Sequence, residues 1–466
     1  MRTDSSDTSE SIAKPVEVVR QLFALTWPAV MTSLLQTLVF LVDRILLGRY
    51  SQDALASMQV QGPLVWSLFS VLSGAIVGVV PLVARYIGAR ERERARDIVV
   101  AGLSLAALLG LGLALSVSIS LRGIVALLGP SSQSVRLLSE QYLSVVVWAL
   151  PPMFVATSAA MCLSAAGNTR TPFIVGLASN GLNLVVSFVL IFGIDTGAGR
   201  VLALGVRGAA IGSALALGLE AVLLVHALRI QLRIPLNVLA TGIHRLRRAS
   251  ASILRISIPA VGERVAIHVG FLAYVAVINA LGPVVMASNQ ALVTLESICF
   301  MTADGFGIAA AAMVGQSLGR KDAPAARLSG RLASLLAVVA LTGFGLMLWI
   351  AGPWLLQVFT PSGVDGSALL GEASRALPLL FLSQPFMALA VVLSQALRGA
   401  GDTRSPLVAA LVSGLLLRVG LAWYWGLVKD QGILAIWGAS LVDWCFRALW
   451  LGAVFLRGRW QRIVLP

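Results

Sequence analysis

Long apolar runs recur along this chain of 466 residues, and they constrain its fold more than any other feature. Each run is long enough to cross a hydrocarbon core of about 30 Å as a helix. In lipid the backbone must form its hydrogen bonds internally, so only helices and closed barrels can span. Barrel strands would alternate in polarity over about ten residues, which these runs do not. The sequence therefore predicts an all-α polytopic membrane protein.

We predict twelve transmembrane helices. Only 12% of the residues are charged, whereas soluble domains have about a quarter, and no long polar stretch leaves room for a separate soluble domain. The predicted spans are 22–47, 56–84, 97–121, 137–165, 172–193, 204–228, 252–281, 286–317, 328–350, 371–397, 406–427 and 434–456.

The loops between the spans differ in charge. Arginine-rich segments such as 90–96, 245–248 and 457–462 all fall on one side when the twelve spans are counted from the N-terminus. Lys and Arg collect in cytoplasmic loops, so we predict a multi-pass protein of the plasma or inner membrane with both termini in the cytoplasm. The same bias accounts for the net charge of +14, and we expect no nucleic-acid partner.

A polar hexapeptide occurs twice in the apolar background, as Gly167–Pro172 and Gly401–Pro406, 234 residues apart. Pro28 and Pro259 correspond at a spacing of 231, as do Gly88 and Gly319. Each half has an even number of spans, so both enter the membrane from the same side. The repeat predicts two six-helix bundles related by pseudo-two-fold symmetry along the membrane normal, with a cleft between them.

This organisation predicts five segments. They are a cytoplasmic N-terminal tail (1–20), an N-terminal six-helix lobe (21–230), a cytoplasmic linker (231–251), a C-terminal six-helix lobe (252–456) and a cytoplasmic tail (457–466).

Acidic residues within the spans are candidate functional groups, because a charge at mid-bilayer costs about 2.5–3.5 kcal/mol. Asp43 lies fifteen residues beyond Pro28, about 22 Å along a helix, in the outward-facing half of the first span. Glu296 and Asp304 are eight residues apart and can share one face of the eighth span. Glu263 adjoins Arg264, so a structural ion pair and a functional role are equally open.

Several of these features together resemble the multidrug and toxic compound extrusion (MATE) transporters over essentially the whole chain. The matching features are Pro28 ahead of Asp43 in the first span, Tyr86–Arg90 and its repeat Val314–Gly319, the hexapeptide Gly167–Pro172, and Asn180 and Asn183 in the fifth span.

The resemblance implies a cation-coupled exporter in which Asp43 is the N-lobe coupling acid. Supporting positions are Asn180, Asn183 and Ser213, while Gln36 lies two turns before Asp43 on nearly the same face. This chain departs from the family at Ser187, where many proton-coupled members carry a second acid, and at Arg44, which follows Asp43 directly. We place Ser187 with the supporting residues and Pro28 as a hinge.

The C-terminal lobe provides a second set of candidates. Related transporters that couple through this lobe have acids on the seventh, eighth and tenth spans. The tenth span here has only Glu372 at its outer edge, which disfavours a complete sodium cage. We expect Glu296 and Asp304 to serve cation coupling, with Glu263 in support. The three cysteines (Cys162, Cys299 and Cys445) are far apart, so no metal site is expected.

The predicted function is secondary antiport of organic, often cationic or amphipathic, small molecules in exchange for protons, with Na⁺ as the less favoured ion. Alternating access between the lobes would drive export, with membrane lipids as neighbours, no cofactor, and a monomeric state. One alternative is a lipid-linked precursor flippase of the same wider superfamily. A more remote alternative, an intramembrane transferase, needs paired acidic motifs or a His near a nucleophile, and the sequence has neither. We therefore expect no enzyme activity.

Overall fold

The computed structural model describes residues 15–127, 129, 132–195, 200–233, 242–359 and 366–466, without the side chains of 36–41, 59–64, 194–195, 200–201 and 359. Within these ranges twelve helices are long and apolar enough to cross a membrane, and they correspond one to one with the predicted spans. The all-α prediction is confirmed. The only strands in the described residues are two-residue β1 (Ile194–Asp195) and β2 (Arg200–Val201), which pair antiparallel.

The α-helices are numbered in chain order. Their bounds are α1 Pro15–Tyr50, α2 Gln52–Ser73, α3 Val79–Gly88, α4 Arg92–Leu127, α5 Gln133–Val146, α6 Leu150–Ala165, α7 Arg170–Phe192, α8 Val206–Leu232, α9 Ile243–Ala280, α10 Pro283–Gly319, α11 Ala323–Leu356, α12 Ser367–Gly399, α13 Arg404–Ala409, α14 Val419–Trp423 and α15 Gly432–Arg457.

Three spans are composite. The second joins α2 to α3 through a 3₁₀ turn at Gly74–Ile76, and the fourth joins α5 to α6 through one at Val147–Ala149. The eleventh alternates α13 and α14 with π-helical segments at Ala410–Arg418 and Tyr424–Val428. Because a π-helix widens the turn, side chains of this span are displaced from the positions an α-helix would give them.

The helices extend beyond the predicted spans, most of all in the segment predicted as linker 231–251. There α8 continues to Leu232 and α9 begins at Ile243, so the basic run 244–248 lies in the first turns of a helix rather than in a loop. Periodicity of apolar residues marks the buried part of a helix and misses its solvated ends. The five segment boundaries remain predictions.

The two hexapeptides form equivalent turns. Gly167 and Gly401 have φ of +85° and +95°, which a side chain rarely allows. Thr169 donates to the carbonyl of Leu25 and Thr403 to that of Ile256, each at 2.8 Å, which ties each turn to the first helix of its own lobe. The repeat is thus a repeat of contacts as well as of sequence.

The helix that follows each hexapeptide is capped by the side chain of an Asx residue. The side chains of Asn168 and Asp402 accept the backbone N–H of Thr171 and Ser405, each at 3.0 Å. Asx oxygens are stronger helix caps than a threonine hydroxyl, and they sit three residues before the amide they accept.

The lobes meet at the end of the bundle that carries the loops 88–92 and 319–323. A Cβ atom at Gly88 would overlap the carbonyl of Gln316, and one at Gly319 would overlap the carbonyl of Arg85. These are reciprocal contacts, since both partners are shifted by 231 residues. Gln316 also donates to the carbonyl of Ala165 at 2.8 Å. We call this end the closed end.

The same reciprocity continues towards the middle of the bundle. Gly305 faces the backbone of Val30, and Gly74 faces the backbone of Val261 at the equivalent place in the repeat. Small residues let helix backbones approach closely and replace the missing hydrophobic drive for association in lipid. Through these contacts the two lobes are packed together from the closed end to about the midpoint of α1 and α9.

Candidate functional site

The N-terminal lobe holds a polar cluster around Asp43. Asp43 lies on α1 with 8% of its surface exposed, and the side chain of Asn183 on α7 hydrogen-bonds its carboxyl. Ser187, one turn further along α7 and fully buried, donates to Oδ1 of Asn183 at 2.8 Å. Ser187 thereby fixes the carboxamide so that its N–H₂ group faces Asp43, which explains a hydroxyl at this position.

Tyr142 on α5 is the member of this cluster that the sequence reading missed. Its hydroxyl lies within electrostatic range of Asp43 and hydrogen-bonds Ser213 on α8. Tyrosine is one of many aromatic residues in the spans, and only the packing of α5 against α8 singles it out. Four helices therefore contribute to the surroundings of Asp43.

The remaining N-lobe predictions have mixed outcomes. Asn183, Ser187 and Ser213 are brought together with Asp43, whereas half-buried Asn180 has no hydrogen bond within the described ranges. Arg44 is exposed and forms no ion pair with Asp43. The side chain of Gln36 lies outside the described residues.

Pro28 is buried within α1, where its ring leaves one backbone hydrogen bond unmade. Pro259 interrupts α9 at the equivalent place in the repeat. The role of Pro28 as a hinge stays a prediction.

In the C-terminal lobe the acids are accompanied by arginines. Glu263 on α9 is 5% exposed and forms an ion pair of 2.5 Å with Arg398 on α12. Arg264 lies within electrostatic range of Glu263 and Asp304 and also reaches Ser70 of the other lobe at 3.4 Å. Asp304 on α10 accepts from the side chain of Gln395 at 2.8 Å. We call Glu263, Arg264, Asp304 and Arg398 the inner tetrad.

A second charged group in the same lobe lies farther from the closed end. Asp443 on α15 is fully buried and contacts Arg447 at 2.7 Å and Arg418 at 3.5 Å. Arg418 stacks on the ring of Tyr274, 4.5 Å from its centroid, and Tyr274 donates to the carbonyl of Ile436. Two arginines from different helical segments thus face the buried carboxylate of Asp443.

Glu296 belongs to this second charged group. Its carboxyl lies within electrostatic range of Arg418 and Asp443, while Oε1 is buried and has no hydrogen-bond partner in the described part of the chain. We call Glu296, Arg418, Asp443 and Arg447 the outer tetrad. Glu296 and Asp304 share α10 as predicted, but they face different neighbours, so the structure gives no joint site.

Charge balance separates the two lobes. Each C-lobe tetrad contains two acids and two arginines, and is neutral when all four are ionised. Asp43 is surrounded by an amide and hydroxyls, and no ion pair reaches it from the part of the chain that the structure describes. In low dielectric a lone carboxylate is costly, whereas its protonated form needs no counter-charge.

Among the described residues no three or more His, Cys, Asp or Glu side chains come together as metal ligands.

Comparison with known proteins places this architecture in a family. The model described as MatE matches residues 28–189 and again 259–424, so it covers each half of the chain separately. The two matches begin 231 residues apart, at Pro28 and Pro259. This spacing is the one at which the sequence repeats.

Curated relatives align along nearly the full chain. A probable multidrug resistance protein NorM of Thermotoga maritima is 26% identical over 455 residues, covering 96% of this chain and 94% of the relative. A protein of the same description from Bradyrhizobium diazoefficiens is 27% identical over 440 residues, covering 91% of this chain and 90% of the relative.

Solved structures share the fold. A mutant of the Vibrio cholerae MATE transporter VcmN superposes with a TM-score of 0.85 at 17% identity, over 95% of this chain and 97% of that one. A MOP superfamily transporter from Pyrococcus furiosus gives 0.80 at 20% identity, over 96% and 97%. With its duplicated match and twelve-helix architecture, this chain belongs to the MATE family of membrane transporters.

Proposed function

We propose that the protein is a secondary antiporter that exports organic small molecules in exchange for protons bound at Asp43. The observation that carries the proposal is the environment of this carboxyl, which is buried in the second half of α1 among uncharged polar groups. Na⁺ is the less favoured coupling ion, because among the described residues no group of acids clusters as a cation cage would require.

The chemistry follows from the neighbours of Asp43. When the carboxyl is ionised it accepts a hydrogen bond from Asn183, and protonation removes that charge and weakens this interaction. Asn183 sits on α7, so the change in protonation alters the contact between α1 and α7. A local change in charge can bias a global equilibrium when it acts on an element with two arrangements.

The packing of the lobes supports the proposal of such an equilibrium. In this conformation they touch at the closed end, and their reciprocal glycine contacts have to separate before that end can open. Alternating access then requires only that the two bundles rock about their shared interface. Protonation of Asp43 would accompany release of the substrate, and deprotonation would accompany reloading.

The substrate class rests on the relatives. Two of them are described as probable multidrug resistance proteins, and we extend that description to this chain as a proposal.

The orientation with both termini in the cytoplasm, the plasma or inner membrane location and the monomeric state are proposed with it. Single cysteines at Arg92 and Arg247 should react with a membrane-impermeant maleimide only after the membrane is opened.

The test is export by the full chain in proteoliposomes, with ethidium as the cationic probe. We expect the wild type to transport ethidium against the ethidium gradient when a pH gradient is imposed, and not when a sodium gradient alone is imposed. In Asp43→Asn we expect the pH-driven transport of ethidium to be lost. The control is Asp53→Asn, an exposed acid on α2 that accepts one hydrogen bond from Ser134. Transport that follows sodium and ignores pH would overturn proton coupling, and a fully active Asp43→Asn would overturn the assignment to this residue.

A further inference from the structure

A cavity lies between the start of α11 and the C-terminal residues of the chain, away from both lobes' acids. It is lined by Ala323, Pro324, Arg327, Leu328, Arg331 and Gln461. Gln461 belongs to residues 458–466, which we call the C-terminal strap. The strap includes a 3₁₀ turn at Arg459–Arg462 and follows directly on α15.

The lining carries positive charge without a counter-charge. Arg327 and Arg331 are one helical turn apart on α11, where like charges repel by a few tenths of a kcal/mol. Neither forms an ion pair with any residue in the described part of the chain. The cavity lining contains no acid, and nearby Asp322 caps the backbone N–H of Ala325 instead.

A hydrogen-bond donor also awaits a partner at this cavity. The amide nitrogen of Gln461 is buried and has no acceptor among the residues that the structure describes. An unpaired buried donor costs about 1–3 kcal/mol, and a ligand with an acceptor oxygen would remove that cost. The guanidinium of Arg327 lies so close to Gly458 that a Cβ atom there would be 2.9 Å from it. The strap therefore packs directly against one of the two cations.

The location fits a ligand of the membrane surface. At 1.5 Å per residue the 34 residues of α11 measure about 51 Å, well beyond the 30 Å hydrocarbon core. Its first turns thus reach the level of the phosphates of lipid headgroups. The N-terminus of a helix adds partial positive charge to that of the two arginines.

The strap connects the cavity to the contact between the lobes. Trp460 is buried, stacks on Phe455 and anchors the strap to the C-lobe. Further along, the carbonyl of Ile463 accepts from Arg85 of the N-lobe, which also donates to the carbonyl of Ala400 at 3.1 Å. Leu465 packs against the N-lobe cluster that contains Leu82. The strap thus bridges both lobes at the closed end.

We propose that this cavity binds a phosphate-bearing anion, either a phospholipid headgroup or a free phosphate. Bidentate guanidinium contacts from Arg327 and Arg331 and the amide of Gln461 hold its oxygens. The bound anion fixes the strap and so stabilises the conformation in which the lobes touch. This site is separate from Asp43 and does not depend on which cation drives transport.

The test measures thermal stability of the purified full chain in dodecyl maltoside while dihexanoyl phosphatidylglycerol or inorganic phosphate is titrated. We expect a saturable rise in Tm for the wild type. In the double variant Arg327→Gln/Arg331→Gln the midpoint concentration should rise about tenfold or more, because two charge-assisted hydrogen bonds are lost. Hydrogen exchange of residues 458–466 should slow with ligand in the wild type and not in this variant.

The matched control is Arg247→Gln/Arg248→Gln, which removes two exposed charges from α9 and leaves the cavity intact. It should titrate like the wild type. Gln461→Ala, with an expected rise of about threefold from one lost hydrogen bond, carries the test if the double variant does not fold. A response to phosphatidylglycerol alone assigns a lipid headgroup, and a response to both probes assigns the phosphate itself. No rise in the wild type, or an equal rise in the cavity variants, would overturn the proposal.

Discussion

The two lobes share a fold but treat their buried acids differently. In the N-lobe Asp43 is surrounded by Asn183 and the hydroxyls of Tyr142 and Ser213, none of which is charged. In the C-lobe Glu263 pairs with Arg398, and Asp443 pairs with Arg418 and Arg447. Asp43 therefore has no counter-charge among the described residues, whereas arginines balance the acids of both C-lobe tetrads.

The difference teaches which acids are suited to change protonation. In each tetrad two arginines balance the charge of the two acids. Asp43 has no such counter-charge in the described part of the chain, so its ionised form is costly in a low dielectric. Proton coupling should therefore depend on the N-lobe, whereas the C-lobe tetrads should contribute to stability.

The largest expected effect is in the outer tetrad. Asp443→Asn leaves Arg418 and Arg447 short of a counter-charge in the membrane interior, and breaking a buried pair costs about 3–5 kcal/mol. Chemical unfolding in detergent measures the loss. The exposed control Asp53→Asn should change the free energy of unfolding by less than about 0.5 kcal/mol. If Asp443→Asn and Asp53→Asn lost the same free energy of unfolding, the outer tetrad would have no structural role.

The inner tetrad should respond similarly but less strongly. Glu263→Gln leaves Arg264 and Arg398 with Asp304 as their one acid, and we expect a loss of about 2–3 kcal/mol because the pair is partly accessible. A charge reversal of the pair, Glu263→Arg/Arg398→Glu, should recover part of this loss. The losses in free energy of unfolding of Glu263→Arg and of Arg398→Glu are measured separately and added. If the double variant loses more than this sum, the pair does not stabilise the lobe.

Two tyrosines sharpen the comparison at the level of a single hydroxyl. Tyr142→Phe removes the group that links Ser213 to the surroundings of Asp43, and we expect proton-driven export to fall about fivefold, in line with about 1 kcal/mol. Tyr274→Phe removes the C-lobe hydroxyl that donates to Ile436 and should lower stability by a similar amount with export per folded protein unchanged. Interchanged outcomes would place the coupling group in the C-lobe.

The smallest effect concerns the hexapeptides, where the lobes should behave alike. Thr169→Val and Thr403→Val each remove one hydroxyl that donates to the first helix of its lobe, and each should cost about 1 kcal/mol. Chemical unfolding of the two single variants measures the free-energy contribution of each hydroxyl. Unfolding of the double variant tests whether the two contributions are additive. A difference greater than about 1 kcal/mol between the singles would mean that the repeat of contacts does not extend to energetics.

The fold was accessible from sequence because its determinants are local. Apolar length predicts each span, and the spacing of Pro28 from Pro259 predicts the duplication. The helix ends were missed because solvated turns such as 244–248 carry no apolar pattern.

The site was only partly accessible. An acid within a span, such as Asp43, stands out by its cost, and the pairing of Asp443 with Arg447 follows from helical spacing. The approach of Tyr142 to Asp43, and the pairing of Glu263 with Arg398 135 residues away, depend on how helices pack. Nothing in a single sequence specifies those contacts, so the separation of Glu296 from Asp304 into two tetrads emerged only from the structure.

The most direct measurement places Asp43→Asn and Glu263→Gln side by side in proteoliposomes, with ethidium export driven by a pH gradient and normalised to folded protein. The account predicts that Asp43→Asn falls to less than about a tenth of the wild-type rate while keeping wild-type stability. Glu263→Gln should keep at least about half of the rate despite its lower stability. The account would be contradicted if Asp43→Asn kept pH-driven ethidium export while Glu263→Gln lost it.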